Sequence, residues 1–196
     1  MARPDLFDEP VEHLEGLSLI SDFISPDEHR FLLEQVDGQP WRGDLKRRTQ
    51  HYGWRYDYKS RTVYPSDFIG HLPEWLQGIA QRLLENGAFE RCPDQAIVNE
   101  YLPGQGISAH VDCQPCFGDT IAGLSLGGRC VMDFSHPQQK QKVSILLESR
   151  SLLVLSGPAR FEWRHGIAAR KSDMIDGARH PRERRVSITF RTVRQG

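Results

Sequence analysis

The chain has 196 residues, 38% of them hydrophobic and 26% charged, with a formal net charge of −1. That length suits one domain with its own core. No apolar run is long enough to cross a bilayer, and a charge this close to zero excludes the strongly basic balance of a protein that binds nucleic acid by overall charge.

The opening Met1-Ala2-Arg3-Pro4-Asp5 lacks the apolar stretch of a secretory signal, which points to the cytoplasm. A short leader is expected through about Pro10. Ser25-Pro26-Asp27-Glu28 is a helix start: Ser25 caps, Pro26 suits the first helical position and Glu28 completes a capping box. This helix runs to about Val36 and stops before Gly38. A basic stretch follows, with Lys46, Arg47, Arg48, Arg55 and Lys59 between Arg42 and Arg61, opposed only by Asp44 and Asp57. A second helix begins near Pro73, carries Trp75, Leu76, Ile79, Leu83 and Leu84 at helical spacing, and ends at Asn86-Gly87.

From Ala96 the pattern changes to short β-type runs separated by Gly and Pro. The expected strands are Ala96–Tyr101, Ile121–Leu126, Val131–Phe134, Lys142–Leu147, Leu152–Ser156, Phe161–His165 and Arg185–Thr192. Two early helices followed by many strands predict a mainly β, α+β fold, a jelly roll with the N-terminal helices packed on one sheet. No repeat, low-complexity tract or linker divides the chain, so residues 1–196 read as one domain and as a monomer.

His110-Val111-Asp112 is a His-x-Asp pair. In an extended segment, residues two apart share a face, so both side chains can meet one metal. His136, His165 and His180 are candidates for a third ligand. His165 is favoured because Phe161–His165 reads as a strand ending at Gly166, whereas His136-Pro137 and His180-Pro181 read as turn and loop. Two imidazoles and one carboxylate on one face of an ion leave three positions open, the arrangement used by non-haem Fe(II) in oxygen chemistry. By itself His-x-Asp is also a chance pattern. The strand Arg185-Val186-Ser187-Ile188-Thr189-Phe190-Arg191 adds weight, since its polar face carries two arginines, and guanidinium binds carboxylate bidentately.

With Asn99-Glu100-Tyr101, Pro103-Gly104, His110-Val111-Asp112, His165-Gly166-Ile167 and Arg185 through Arg191 in this order, the sequence resembles the AlkB family of nucleic-acid dioxygenases from about Val98 to Arg191. Leu124-Ser125-Leu126-Gly127-Gly128 and Val131-Met132-Asp133-Phe134 are most similar to its tRNA-hydroxylase-like subfamily. The resemblance implies a double-stranded β-helix, Fe(II), 2-oxoglutarate as cosubstrate and O2. It implies that His110, Asp112 and His165 hold the iron and form the catalytic centre. Asn99, Tyr101, Arg185, Ser187 and Arg191 would hold 2-oxoglutarate, with Arg185 on its distal carboxylate and Arg191 near the carboxylate that meets the metal. Ser187 stands where the best-known bacterial member has asparagine.

The resemblance also implies a nucleotide-recognition lid over about residues 42–64. Tyr52, Trp54 and Arg48 are the candidate substrate contacts there, and a strand pair with its Tyr/Trp face on the core is an equal reading for each aromatic. Gln114 aligns with an acidic base-recognition residue of the bacterial repair enzyme and departs from it. The activity implied first is oxidative demethylation of N-alkylated bases in DNA or RNA, tRNA included, with roles in repair of DNA damage or in RNA demethylation. Hydroxylation of a modified tRNA base is the alternative, and a non-catalytic nucleic-acid-binding module is the alternative from another class. No membrane is involved. Among the four cysteines a disulfide framework is not expected. Cys113 and Cys116 read as small loop side chains beside the site, with half a zinc site or a redox pair left open.

Overall fold

The protein is described from a computed structural model covering residues 14–43 and 45–194. The expected leader and Asp44 lie outside the described residues. The elements in chain order are β1 (Leu17–Ile20), α1 (Pro26–Asp37), β2 (Thr49–Tyr52), α2 (Glu74–Glu85), β3 (Gln95–Tyr101), β4 (Ile107–His110), β5 (Phe117–Gly127), β6 (Cys130–Ser135), β7 (Lys142–Leu147), β8 (Leu152–Leu155), α3 (Gly157–Phe161), β9 (Arg164–Ile167), β10 (Ser172–Ile175), β11 (Ala178–Pro181) and β12 (Arg185–Val193). Among the described residues no helix is long and apolar enough to cross a membrane.

Six strands form one antiparallel sheet in the order β1-β8-β5-β12-β3-β2, and four form a second in the order β4-β9-β6-β7. The two sheets make the expected jelly roll. Strand alternation divides the large sheet into two faces. Val186, Ile188 and Phe190 on β12, Ala96 and Val98 on β3, and Ala122, Leu124 and Leu126 on β5 pack with Leu32 and Val36 of α1 and Leu76, Ile79, Ala80 and Leu83 of α2. Val186, Ile188 and Phe190 are fully buried, each contributing about 1.5–3 kcal/mol by leaving water. The opposite face of the same three strands looks into the space between the sheets.

The start of α1 has the predicted chemistry. The Glu28 amide donates to the Ser25 hydroxyl at 3.1 Å, and the Ser25 amide donates to the Glu28 carboxylate at 2.8 Å. Two expectations give way. Phe161 closes α3 rather than opening a strand, because Gly157-Pro158 starts a short helix with Pro in its first turn; only Arg164 onward is extended. His180-Pro181 is not loop but part of β11, paired with β10 across Asp176-Gly177. Those two residues take φ of 50° and 77°, the two-residue hairpin turn that Asp-Gly favours.

Candidate metal and cosubstrate centre

β4 and β9 are antiparallel neighbours, and their register sets His110 directly opposite His165. The imidazole centroids are 4.6 Å apart. Gly166 permits this close approach, since a Cβ there would lie 2.9 Å from the Ala109 backbone. Asp112 stands just past β4, its Oδ1 3.6 Å from His110 Nε2. One ligand atom from each of His110, Asp112 and His165 lies within 4.8 Å of the others, a spacing that can hold one metal ion.

The protonation of these groups suits a cation. His110 Nδ1 lies 2.9 Å from the Ser108 carbonyl oxygen, and donation to that oxygen leaves Nε2 with its lone pair toward Asp112. Burial lowers the His165 pKa to about 4, so its imidazole is neutral at pH 7. Burial opposes charge on Asp112 as well, but the Arg191 guanidinium outweighs it and holds the carboxyl well below the usual range. Arg191 Nη2 lies 3.3 Å from Asp112 Oδ1 and 3.4 Å from Oδ2.

The three residues open onto a cavity of about 330 Å³. Its floor is the polar side of β12, on which Arg185, Ser187, Thr189 and Arg191 all line the space, with Asn99 and Tyr101 of β3 beside them. Arg185 is 3% exposed. Its Nη2 donates to the Ser125 hydroxyl at 2.9 Å, but its Nε and Nη1 have no hydrogen-bond partner among the described residues. Arg191 Nε and His165 Nδ1 are likewise unpaired and buried. A buried guanidinium with unmet donors is destabilising unless an anion completes it. The residues therefore fit a metal ion with a dicarboxylate held alongside by Arg185.

The residues expected on the substrate side are distributed differently. Tyr52 packs edge-on against Trp75 with centroids 5.4 Å apart, and its hydroxyl donates to Gln50. Trp54 packs on Phe68 at 5.0 Å. Arg48 forms a two-point ion pair with buried Glu100, at 2.6 and 2.8 Å, and lies over Trp41. None of the three lines the cavity. Gln114 lines a neighbouring cleft and donates to the Phe161 carbonyl.

The cavity is instead faced by Arg47, Tyr56, Tyr58 and Arg61. Tyr56 and Tyr58 meet edge-on at 5.0 Å, Arg47 lies over the Tyr58 ring, and Arg47 Nε donates to Asn99 Oδ1. Tyr56 and Tyr58 continue the alternate spacing of Tyr52 and Trp54, so spacing alone did not separate the two pairs. Buried Arg160, which donates to the carbonyls of Asp112 and Cys113 at 3.1 and 3.3 Å, gave no signal. Cys113 and Cys116 are joined as a disulfide, while Cys92 and Cys130 are free. There is thus one local link and no framework.

The family model of the 2OG-Fe(II) oxygenase superfamily matches residues 16–191. The uncharacterised protein L905 of Acanthamoeba polyphaga mimivirus is 37% identical over 93% of the chain and 87% of its own length. The mouse tRNA (carboxymethyluridine(34)-5-O)-methyltransferase ALKBH8 is 38% identical over 92% of the chain, which spans only 31% of that protein. A zebrafish (Danio rerio) protein named probable RNA/DNA demethylase ALKBH6 is 30% identical over 89% of the chain and 84% of its own length. The solved structure of OsALKBH1 superposes with a TM-score of 0.69 at 20% identity, covering 93% of the chain and 100% of that structure, a likeness of fold.

Proposed function

Because the chain belongs to the 2OG-Fe(II) oxygenase superfamily, we propose that it is an AlkB-like dioxygenase that oxidatively demethylates N-alkylated bases in DNA or RNA. The observation that carries this reading is the buried, half-paired Arg185 in the same cavity as His110, Asp112 and His165. His110, Asp112 and His165 would hold Fe(II). Arg185, steadied by the Ser125 hydroxyl, would grip the distal carboxylate of 2-oxoglutarate, with Asn99, Tyr101, Ser187 and Arg191 along its length. When bound, iron, 2-oxoglutarate and O2 supply C–H hydroxylation, with release of succinate and CO2.

The chain's own contribution is placement and shielding. Ile97, Ile107, Ile121, Leu147, Leu153 and Leu155 line the cavity and would shield a bound cosubstrate from water. Arg191 keeps Asp112 ionised and so able to bind a cation. Residues 42–64 act as a nucleotide-recognition lid, in which Tyr56 and Tyr58 offer ring faces to a base and Arg47 and Arg61 offer charge to phosphate. Tyr52, Trp54 and Arg48 brace that segment. Monomeric, cytoplasmic action on damaged or modified nucleic acid completes the reading.

The test supplies Fe(II), ascorbate, 2-oxoglutarate and an N-methylated oligonucleotide, and measures succinate and formaldehyde together. Formaldehyde in step with succinate is expected, and succinate production unchanged in His110→Ala, Asp112→Ala and His165→Ala proteins sinks the assignment. A second reading is hydroxylation of a modified tRNA base, supported by the 38% identity to a protein named for tRNA uridine modification. Turnover on bulk tRNA without formaldehyde selects it.

A further inference from the structure

The Cys113–Cys116 disulfide is unused by this reading, yet it touches both halves of the site. Cys113 follows Asp112 directly. Both sulfurs lie 3.2 Å from a single acceptor, the carbonyl oxygen of Arg61 on the opposing segment. Cys113 lines the main cavity and also an adjoining cleft of about 280 Å³ whose other walls include exposed Arg61, Gln114 and Pro115. Cys113 is 5% and Cys116 7% exposed, so this cleft is the route by which a thiol or disulfide would reach Cys113 from solvent.

We propose that Cys113 and Cys116 form a redox-active dithiol/disulfide site that sets how firmly the turn around Arg61 is held against the metal loop. The Arg61 carbonyl distinguishes the two states. In the disulfide neither sulfur carries a hydrogen, so neither can donate to that oxygen. In the dithiol each sulfur, freed of the S–S bond, becomes an S–H donor beside that oxygen. The turn is sensitive to such a tether, because Arg61 sits at φ 54°, a left-handed conformation disfavoured without glycine. Its internal supports are the Arg61 amide to the Asp57 carbonyl at 2.8 Å, the Asp57 amide to the Thr62 carbonyl at 3.3 Å, the Lys59 amide to Asp57 Oδ1 at 2.7 Å and the Ser60 and Thr62 hydroxyls at 2.6 Å. The metal loop is held independently, by Arg160 on the Asp112 and Cys113 carbonyls and by Gln114 on the Phe161 carbonyl. A change at the sulfurs therefore acts on the turn.

The exchange balances with a glutathione-type couple. One protein sulfur bonds to a sulfur of glutathione disulfide and releases one glutathione. The second protein sulfur then displaces the other glutathione, closing the protein disulfide as two electrons and two protons leave with the released thiols. The consequence for substrate rests on the proposed nucleic-acid role of the turn; the redox site itself does not.

The full chain, loaded with redox-silent Mn(II) and 2-oxoglutarate, is equilibrated in glutathione buffers from reducing to oxidising. Differential alkylation with mass spectrometry counts thiols, and hydrogen–deuterium exchange follows residues 55–68. The Cys113 and Cys116 thiols should vanish together, and amides of the turn should exchange about two- to tenfold faster in the oxidised protein, the net worth of about one hydrogen bond. A Cys113→Ser/Cys116→Ser protein, which keeps hydroxyl donors, should exchange slowly at every poise. Cys113→Ala/Cys116→Ala should exchange fast at every poise. Thiols that remain alkylatable under oxidising conditions, or identical exchange in oxidised and reduced protein, overturn the proposal. Redox-dependent exchange with an unchanged oligonucleotide Kd overturns the nucleic-acid role of the turn and leaves the redox site standing.

Discussion

On β12 every second side chain from Arg185 to Arg191 lines the cavity, whereas across it the lining residues Leu45, Arg47, Tyr56, Tyr58 and Arg61 follow no period. The first set is held by two neighbouring strands, β3 and β5, in continuous register. The second hangs on turns, ring contacts and single hydrogen bonds, such as Tyr56 to the His51 ring and Arg47 to Asn99. A ladder with partners on both sides fixes where an arginine points, and pre-set charge is what a metal and a dicarboxylate require. A segment held by scattered contacts can adjust to a larger ligand, as residues that meet a nucleotide must.

That contrast can be broken by mutation. The largest effect should come from the metal side: His165→Ala should lower succinate formation by on the order of a hundredfold or more and weaken Mn(II) binding in parallel. Arg185→Met should raise the KM for 2-oxoglutarate by about 10- to 100-fold, the worth of a lost charged hydrogen bond pair, and leave oligonucleotide binding to the Mn(II) protein intact. Tyr58→Ala should do the reverse, raising the oligonucleotide KM by roughly 5- to 100-fold through lost stacking and sparing 2-oxoglutarate. Tyr52→Ala should instead lower the thermal midpoint, since that ring packs on Trp75. Equal effects of Tyr58→Ala on both ligands would erase the division of labour between floor and lid.

The smallest effect is pH-dependent. The Arg48 guanidinium, followed by that of Arg184, holds the Glu100 carboxyl below its ordinary value of 4.5. A carboxylate depressed in this way stabilises the fold fully above that ordinary value and loses its contribution as pH falls through the lower folded value. Urea midpoints measured from pH 6 down to pH 3 should therefore fall more steeply in the wild type than in Glu100→Gln. Parallel curves would mean that the Arg48–Glu100 link does not brace the segment beside Tyr52.

Much of the floor was legible because its signals are local. Ser25 and Glu28 announce α1, and the alternation Val186, Ile188, Phe190 against Arg185, Ser187, Thr189, Arg191 announces a two-faced strand. The lid residues were harder, because Tyr52, Trp54, Tyr56 and Tyr58 all satisfy the same spacing, and only the packing of Trp75 and Phe68 removes the first two from the cavity. Asp176-Gly177 was a hairpin signal hidden inside a charged stretch. Arg160 had no signal, since an arginine in a five-residue helix is ordinarily a surface residue.

By itself the sequence determined the periodicities and the helix caps, which depend on residue type and short spacing, and its resemblance to the AlkB family singled out the histidine, aspartate and arginine residues for iron and 2-oxoglutarate. Tertiary structure decided which of them meet. His110 faces His165 only because β4 and β9 pair in that register and Gly166 lets the backbones approach. Arg185 keeps two unpaired donors in the cavity only because two sheets enclose it, and Cys113 and Cys116 reach the Arg61 carbonyl only because a turn some fifty residues earlier folds across them. Long-range pairing and burial bring such groups together, and neither is written in the spacing of any one segment.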